Sequence, residues 1–545
     1  MAFRLNNVQQ LSMNDRLNNL TERERRFLDN SWAKPFGDYI FPLINENRFK
    51  PLFCEDNGRP PTPINVAVGA IMLQEQEMLD DNGLLESVLF DARFQYALRL
   101  TSCEEIPISD RTLSRFRARL YQHELETGED LLKDEIEALA AEYAKRMEIK
   151  GTLKRMDSFM VSSSCKRMGR LELMYTCVSN LVKAIIAADE GHLLPVHLHK
   201  YADESNKNAY CYRLKKEEAQ TRLEALKDDA LLVYELCASA QSSTDEFQLL
   251  ERMLFDQTKD GELKPNKEIK PTSLQNPSDE DATFRRKNER GYQGYVGNVV
   301  EDCGENGNII TKYEYEVNLH TDSDFAEELI EELGPQKEEI TLVVDGAYPS
   351  DANIEAARQN NIKLVPTALT GTDPNPIVKE FEIENQAIIA CPAGHAPTSC
   401  EYNEEKETYR AYFSRTTCEN CPRRSDCLAK LQKLRATVTL TKKTINRALL
   451  AEAMTTEEYK ELARKRNGVE GIPSVMRRRY KVDDMPVRGL VRSKMRFGLK
   501  IAAINAKRVI KYIHSTAIFT FFRLKIRTIH KNDICWNLRA HAYTS

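Results

Sequence analysis

Apolar positions recur at helical spacing through residues 64–74 and again through 84–100, with Asn82-Gly83 marking a break between the two runs. Pro107-Ile108-Ser109-Asp110 then offers polar capping residues ahead of a further helix. On that helix Leu113, Phe116 and Leu120 share one face, and Arg111, Arg115 and Arg119, each four apart, take the opposite one. Residues 1–150 therefore read as helical throughout. The pattern changes at 151–161, where Met156, Phe159, Met160 and Val161 surround Asp157 in a short strand-like run. Helical spacing returns over 171–188 and 215–254, followed by a polar, proline-containing loop over 256–281. Residues 292–300 and 308–317 are rich in β-branched and aromatic side chains, and 304–307 suits a hairpin turn between them. Residues 340–344 form a nearly unbroken apolar run that stops at Asp345-Gly346, the mark of a buried strand before a sharp turn. With helices over 325–333 and 351–359 and a strand over 362–366, the expectation is an α/β fold. It has a mixed sheet, a mostly helical insertion at about 178–283 and an all-helical N-terminal domain.

Composition narrows the class. The 545 residues are 41% hydrophobic, with ordinary Gly and Pro, which suits a globular chain of several domains. The longest apolar runs fall short of the roughly 20 residues of a membrane span, and residues 1–26 lack a signal-peptide pattern. A cytoplasmic protein is expected. The net charge of −5 conceals an asymmetry: residues 464–545 carry twenty Lys or Arg against four Asp or Glu. That local balance of +16 leaves about −21 for residues 1–463. A basic segment of this kind fits a phosphate-backbone binder, and equally a tail paired with the acidic remainder. The arginine face at 111, 115 and 119 suits a helix-turn-helix reader of DNA, and equally an ordinary amphipathic surface helix.

Two positions carry candidate chemistry. Asp157 and Asp345 sit in or at the ends of strand-like runs, so each carboxylate is rigidly aimed, as an oxygen-liganded magnesium ion requires. Either residue alone reads as well as a cap or turn residue. Thirteen cysteines at mostly irregular spacings argue against a disulfide framework. Cys391, Cys400, Cys418, Cys421 and Cys427 are clustered, however, with His395 nearby, and Cys418-x-x-Cys421 has zinc-knuckle spacing. Cys391, Cys418, Cys421 and Cys427 make one four-ligand set, with Cys400 or His395 as substitutes for Cys391. His197 and His199 would share a face on a strand but belong to no ligand cluster, and no P-loop, dinucleotide-binding or Ser-His-Asp pattern is present.

Several short motifs occur in order. They are Arg155-Met-Asp157-Ser, Arg170-Leu-Glu-Leu, Leu274-Gln-Asn-Pro with Asp281-Ala-Thr, and Gly294-Tyr-Val-Gly-Asn298. Val344-Asp345-Gly-Ala-Tyr348, Cys391-Pro-Ala-Gly and Cys418-x-x-Cys421-Pro follow. From about residue 40 to 510 the chain resembles the DDE-type insertion-sequence transposases, specifically a group with a helical N-terminal domain. The resemblance implies an RNase H-like core and two divalent metal ions, Mg2+ or Mn2+, held by three acids. Asp157 matches the first acid, Asp345 the second and Glu470 the third, with Arg466 four before it and Arg477 seven after. On one continuous helix these three would share a face and both guanidinium groups would reach DNA phosphates. The family's tyrosine three before the arginine is Ala463 here and its lysine is Arg477, while Gly471 and Pro473 disfavour a continuous helix, which would then begin near Pro473. Tyr348, beside Asp345, is expected to pack or to touch DNA.

The implied layout is a DNA-binding domain at 1–150, the first part of the core at 151–385 and a zinc-binding segment at 386–430. A basic helical part of the core at 431–515 and a tail at 516–545 complete it. The implied activity is metal-dependent cleavage and strand transfer of double-stranded DNA at element ends by a homodimer. A nuclease that cuts without joining and a non-catalytic DNA-binding remnant are the rival readings.

Overall fold

The computed structural model describes residues 3, 5–6, 16–54, 62–100, 108–287 and 289–540, with side chains omitted for residues 16, 240 and 517–540. Pro107 of the expected helix start, and the side chains of the tail from 517 on, lie outside the described residues. The chain forms two compact units. One comprises residues 1–151, 158–321 and 472–545, and the other residues 152–157 and 322–471.

In the first unit, helix α1 (Ile64–Glu77) is buried almost from end to end. It stops where Met78 turns into the left-handed region at φ 58°. The break therefore precedes Asn82-Gly83, which lie in the first turn of Asp81–Phe90, because the Asp80 carboxylate caps that helix through the Gly83 amide at 2.7 Å. The apolar run over 84–100 is likewise two helices, Asp81–Phe90 and Ala92–Ala97, interrupted by the capping Asp91. Helix α2 (Asp110–Thr127) starts on a Ser109 cap and buries Leu113, Phe116 and Leu120, as its apolar spacing requires. The insertion folds around its own core. Arg170–Ala187, Lys216–Gln241 and Asp245–Gln257 pack Val178, Leu181, Ile185, Leu226, Val233 and Leu250 together. The long helical pattern over 215–254 is broken at Thr244, whose hydroxyl caps the second of these helices. His197 and His199 fall in a 3-10 helix, Val196–Ala202, and not on a strand.

The sheet begins with β1 (Leu153–Ser162), followed along the chain by β2 (Thr283–Lys287), β3 (Arg290–Gly304), β4 (Gly307–Val317), β5 (Ile340–Val344) and β6 (Ile362–Pro366). In the first unit β3 pairs antiparallel with both β2 and β4, and the later half of β1 lies beside β3. The β3–β4 hairpin closes at Gly304 and Gly307, as the turn residues indicate. The Leu274-to-Thr283 motifs prove structural. Asn276 is buried and donates to the Lys166 carbonyl, while the Asp281 carboxylate accepts from the Leu490 amide at the start of the long helix Leu490–Ala540.

In the second unit the earlier half of β1 pairs parallel with β5, and β5 pairs parallel with β6. Parallel strands need helical crossovers, and Asp351–Gln359 supplies the one between β5 and β6. The same unit holds a four-stranded antiparallel sheet, in the order Ser399–Asn403, Thr408–Ser414, Arg435–Thr441, Lys430–Leu431. Its core includes Tyr409, Ala411, Phe413, Ala436, Val438 and Leu440. The strict alternation of Ala436, Val438 and Leu440 with threonines marks a half-buried strand in place of the helical segment expected from 431. Among the described residues no helix is long and apolar enough to cross a membrane.

Candidate catalytic site

β1 and β5 run in parallel register, with Leu153 opposite Thr341, Lys154 opposite Leu342 and Arg155 opposite Val343. Asp157 and Asp345 stand two residues beyond the last of these pairs. Carried forward, the register sets them abreast on one face, at the roughly 4.8 Å spacing of neighbouring strands. Asp345 is where β5 gives out, and its carboxylate accepts from the Gly346 amide at 2.7 Å. A side chain at Gly346 would put its Cβ 2.4 Å from the Ala368 carbonyl oxygen, so only glycine allows this close passage. Tyr348 is 1% exposed and packs inside, which removes the alternative of a DNA contact in this conformation.

The third acid arrives from helix α3 (Glu457–Asn467). Thr456 caps it, Glu457 and Glu458 occupy its first turn, and Arg464, Lys465 and Arg466 occupy its last, each charge suited to the helix dipole. Tyr459 donates its hydroxyl to the Pro366 carbonyl at the end of β6, and burial pushes that phenol up to about 12. The helix stops at Asn467 and α4 (Gly471–Arg478) begins four residues later, with Pro473 in its first turn. The single helix carrying Arg466, Glu470 and Arg477 on one face is therefore not formed. Arg466 and Glu470 nonetheless meet across the break.

Arg466 is the hub of the arrangement. Its Nη1 donates to Glu470 Oε1 at 3.0 Å and its Nη2 to Asp157 Oδ1 at 3.0 Å. The Arg466 side chain is 10% exposed, that of Asp157 15% and that of Glu470 58%. In this conformation its guanidinium serves the two carboxylates, so the expected reach to DNA is not seen. Arg477 belongs to the other unit, where it donates to Asp483 at 3.2 Å and to the Met160 carbonyl at 2.7 Å, and lies over the Phe159 ring.

One residue of the site went unassigned in the sequence. Arg155 is buried, donates to the Lys465 carbonyl and lies against Gly468, where an added Cβ would come within 2.2 Å of its guanidinium. It thereby fastens the end of α3 to β1 beside Asp157. Its sequence signals were its place in the Arg155-Met-Asp157-Ser motif and, two residues before Asp157, on the same strand face. Among the described residues no three Asp, Glu, His or Cys side chains form a group that could hold a metal ion.

The clustered cysteines do gather. Cys391, Cys418, Cys421 and Cys427, with His395, line one small cavity of about 20 Å³, room for a single small particle. Burial, then the neighbouring Cys427, Cys391 and Cys421, push the Cys418 thiol above its ordinary value. Cys400 stands apart from that lining, and its Sγ accepts from the Ile388 amide at 3.3 Å.

The arginine face of α2 is less uniform than its spacing implies. Arg111 and Arg115 are exposed. Arg119 donates to the Leu52 carbonyl at 3.3 Å and sits 4.8 Å from the centre of the Phe53 ring, so packing occupies it. The basic C-terminal stretch is similarly engaged. Arg496 and Lys500 clasp Glu75, Lys494 pairs with Glu124, and Arg508 pairs with Glu301.

Two family models match the chain. Residues 390–510 match the one described as Transposase DDE domain, and residues 25–119 match the one described as Transposase domain (DUF772). Together the two matches indicate an insertion-sequence DDE transposase. The matched segments of this transposase contain Arg466, Glu470 and the clustered cysteines at one end and the arginine face of α2 at the other. No curated protein and no solved structure matches it.

Proposed function

We propose that this transposase cleaves and joins DNA at insertion-sequence ends on an RNase H-like core, with Asp157, Asp345 and Glu470 as its catalytic acids. One observation carries the reading. The β1–β5 register, extended two residues past its last pair, would bring Asp157 level with Asp345, and the Arg466 guanidinium bonds both Asp157 and Glu470. DDE transposases generally use divalent metals, and hard carboxylate oxygens are the donors such ions take. Mg2+ or Mn2+ held there would polarise the scissile phosphate and lower the pKa of an attacking water or 3′-hydroxyl. The chain's own part is placement. The strands of Asp157 and Asp345 aim two carboxylates, Arg155 secures the segment that brings the third, and Gly346 lets the backbone pass beneath.

Arg111 and Arg115 would contact DNA phosphates from the helical domain, and exposed Arg477 would do so from α4. Cys391, Cys418, Cys421 and Cys427 would hold a structural zinc, the cavity lining favouring Cys391 over Cys400 as the fourth ligand. Two ends held together imply a homodimer on DNA.

Incubation with end-bearing DNA and magnesium tests the reading. Joined products are expected. Nicks without joining would indicate a nuclease, and a mobility shift without cleavage would indicate a DNA-binding remnant.

A further inference from the structure

In the first unit, residues 485–489 lead into the long helix Leu490–Ala540. Just past the end of β1, Ser164 donates its hydroxyl to the Val487 carbonyl at 3.0 Å. A cavity of about 490 Å³ opens there, lined by Ser164, Met485, Pro486, Val487, Arg488 and Arg492. We infer that this cavity seats a stretch of DNA backbone, its phosphates held by Arg488 and Arg492, and so extends the arginine face of α2. DNA as the occupant rests on the function proposed above; none of the catalytic acids is involved.

The walls are fixed from beneath. Asp279, 2% exposed, accepts from the Ser163 hydroxyl, from the Tyr295 hydroxyl at 2.5 Å and from the Gly489 amide at 3.1 Å. The Asp281 carboxylate takes the Leu490 amide at 2.8 Å. These two acids already serve the start of the long helix, so the helix end is not what faces an anion. The two guanidinium groups are. Farther along the same helix the cations are engaged: Lys494 with Glu124, Arg496 and Lys500 with Glu75, and Arg508 with Glu301. Arg488 and Arg492 differ. Both are exposed and neither has an ion pair among the described residues. Arg488 lies against the Cys165 thiol, and Arg492 stacks 4.3 Å from the centre of the Tyr121 ring.

That stacking carries the argument from the cavity to α2. A guanidinium laid on an aromatic ring is held in place while its edge, the fork that matches a phosphate, stays free. Tyr121 borders the exposed side of α2 that carries Arg111 and Arg115. About 9 Å of helix rise separates Tyr121 from Arg115, a few phosphate spacings along one strand. Cations repeated at such intervals suit a polyanion with regularly spaced charges better than a single small anion. Contacts of this kind set position and grip without reading sequence.

Fluorescence anisotropy of labelled duplexes with the full chain tests this, in a chelator so that no cleavage intrudes. The variants are Arg488→Gln, Arg492→Gln, the double variant and Arg492→Lys, with Lys216→Gln as a charge-matched control away from the cavity. Thermal unfolding checks that each is folded. At about 100 mM salt, each Gln variant should bind about fivefold to tenfold more weakly and lower the salt slope by about one, the double variant by about two. The loss should be equal on end-bearing and unrelated duplexes, because phosphates carry no sequence. Arg492→Lys, which keeps the charge, should keep the slope. If folded Arg488 and Arg492 variants lose no more than Lys216→Gln, the inference is overturned, the DNA-binding reading stands, and the cavity faces a partner other than DNA. A loss confined to end-bearing DNA also overturns it, since the cavity would then read bases. A wild-type chain that binds neither duplex overturns the inference and the proposed function together.

Discussion

Two buried clusters of arginine and acid, one in each unit, use the same ingredients to different ends. In the first unit, Glu75 on α1 is 7% exposed and is held by Arg496 at 2.6 Å and Lys500 at 2.9 Å, one turn apart on the long helix. Two cations close over one anion, and burial keeps the Lys500 ammonium below its ordinary value in spite of Glu75. In the second unit the ratio is reversed: two carboxylates share Arg466, and one of them faces solvent. A charge cluster that is closed and over-matched with cations holds helices together. One that opens to solvent at Glu470 leaves a carboxylate within reach of a ligand. Burial alone therefore does not distinguish the two clusters; access to solvent does.

The sharpest way to break the comparison is to remove one acid from the proposed site and one from the Glu75 cluster. Asp345→Asn should slow DNA cleavage on the order of a thousandfold, since metal-held charge is worth several kcal/mol, while DNA binding stays within a few-fold. A cleaving mutant would end the assignment. Glu75→Gln should instead cost about 3–5 kcal/mol of stability in denaturant titration by stranding buried cations, and leave Mn2+ affinity unchanged. A loss of metal binding there would erase the distinction between the clusters. Gly468→Ala, which drives a Cβ into Arg155, should slow cleavage about tenfold, the cost of a small misplacement of the third acid, with little change in unfolding midpoint. Cys418→Ser should lower the zinc content measured by mass spectrometry from about one ion per chain to none, with cleavage reduced only as far as folding is. Zinc affinity of the wild type should rise with pH, because burial and neighbouring thiols hold the Cys418 proton on and the metal needs the thiolate. The smallest effect belongs to the exposed face of α2. Arg111→Ala and Arg115→Ala should each weaken DNA binding modestly and reduce the salt dependence by about one unit, whereas Arg119→Ala should act through packing against Phe53.

Much of this was legible along the chain. The strand over 340–344, the helix over 351–359 and the strand over 362–366 fall at the residues that apolar runs and turn residues mark. Asp157 and Asp345 could be singled out because short buried strands leave strong patterns and acids at their ends are conspicuous. The same local reading failed where a capping side chain overrides spacing, as at Asp80, Asp91 and Thr244. Pro473 announced the break after Glu470, but a break in a helix says nothing about whether the residues on either side still meet.

Local pattern, turn chemistry and motif order were therefore enough to mark most elements, to nominate the candidate acids and to point to the transposase resemblance that the family models share. Partnership was settled only by the tertiary structure, because ion pairs join residues hundreds of positions apart and no periodicity records them. The same basic residues that look alike in the sequence are divided by folding into clamps on Glu75, Glu124 and Glu301, an open bridge at Arg466, and an exposed remainder left for DNA.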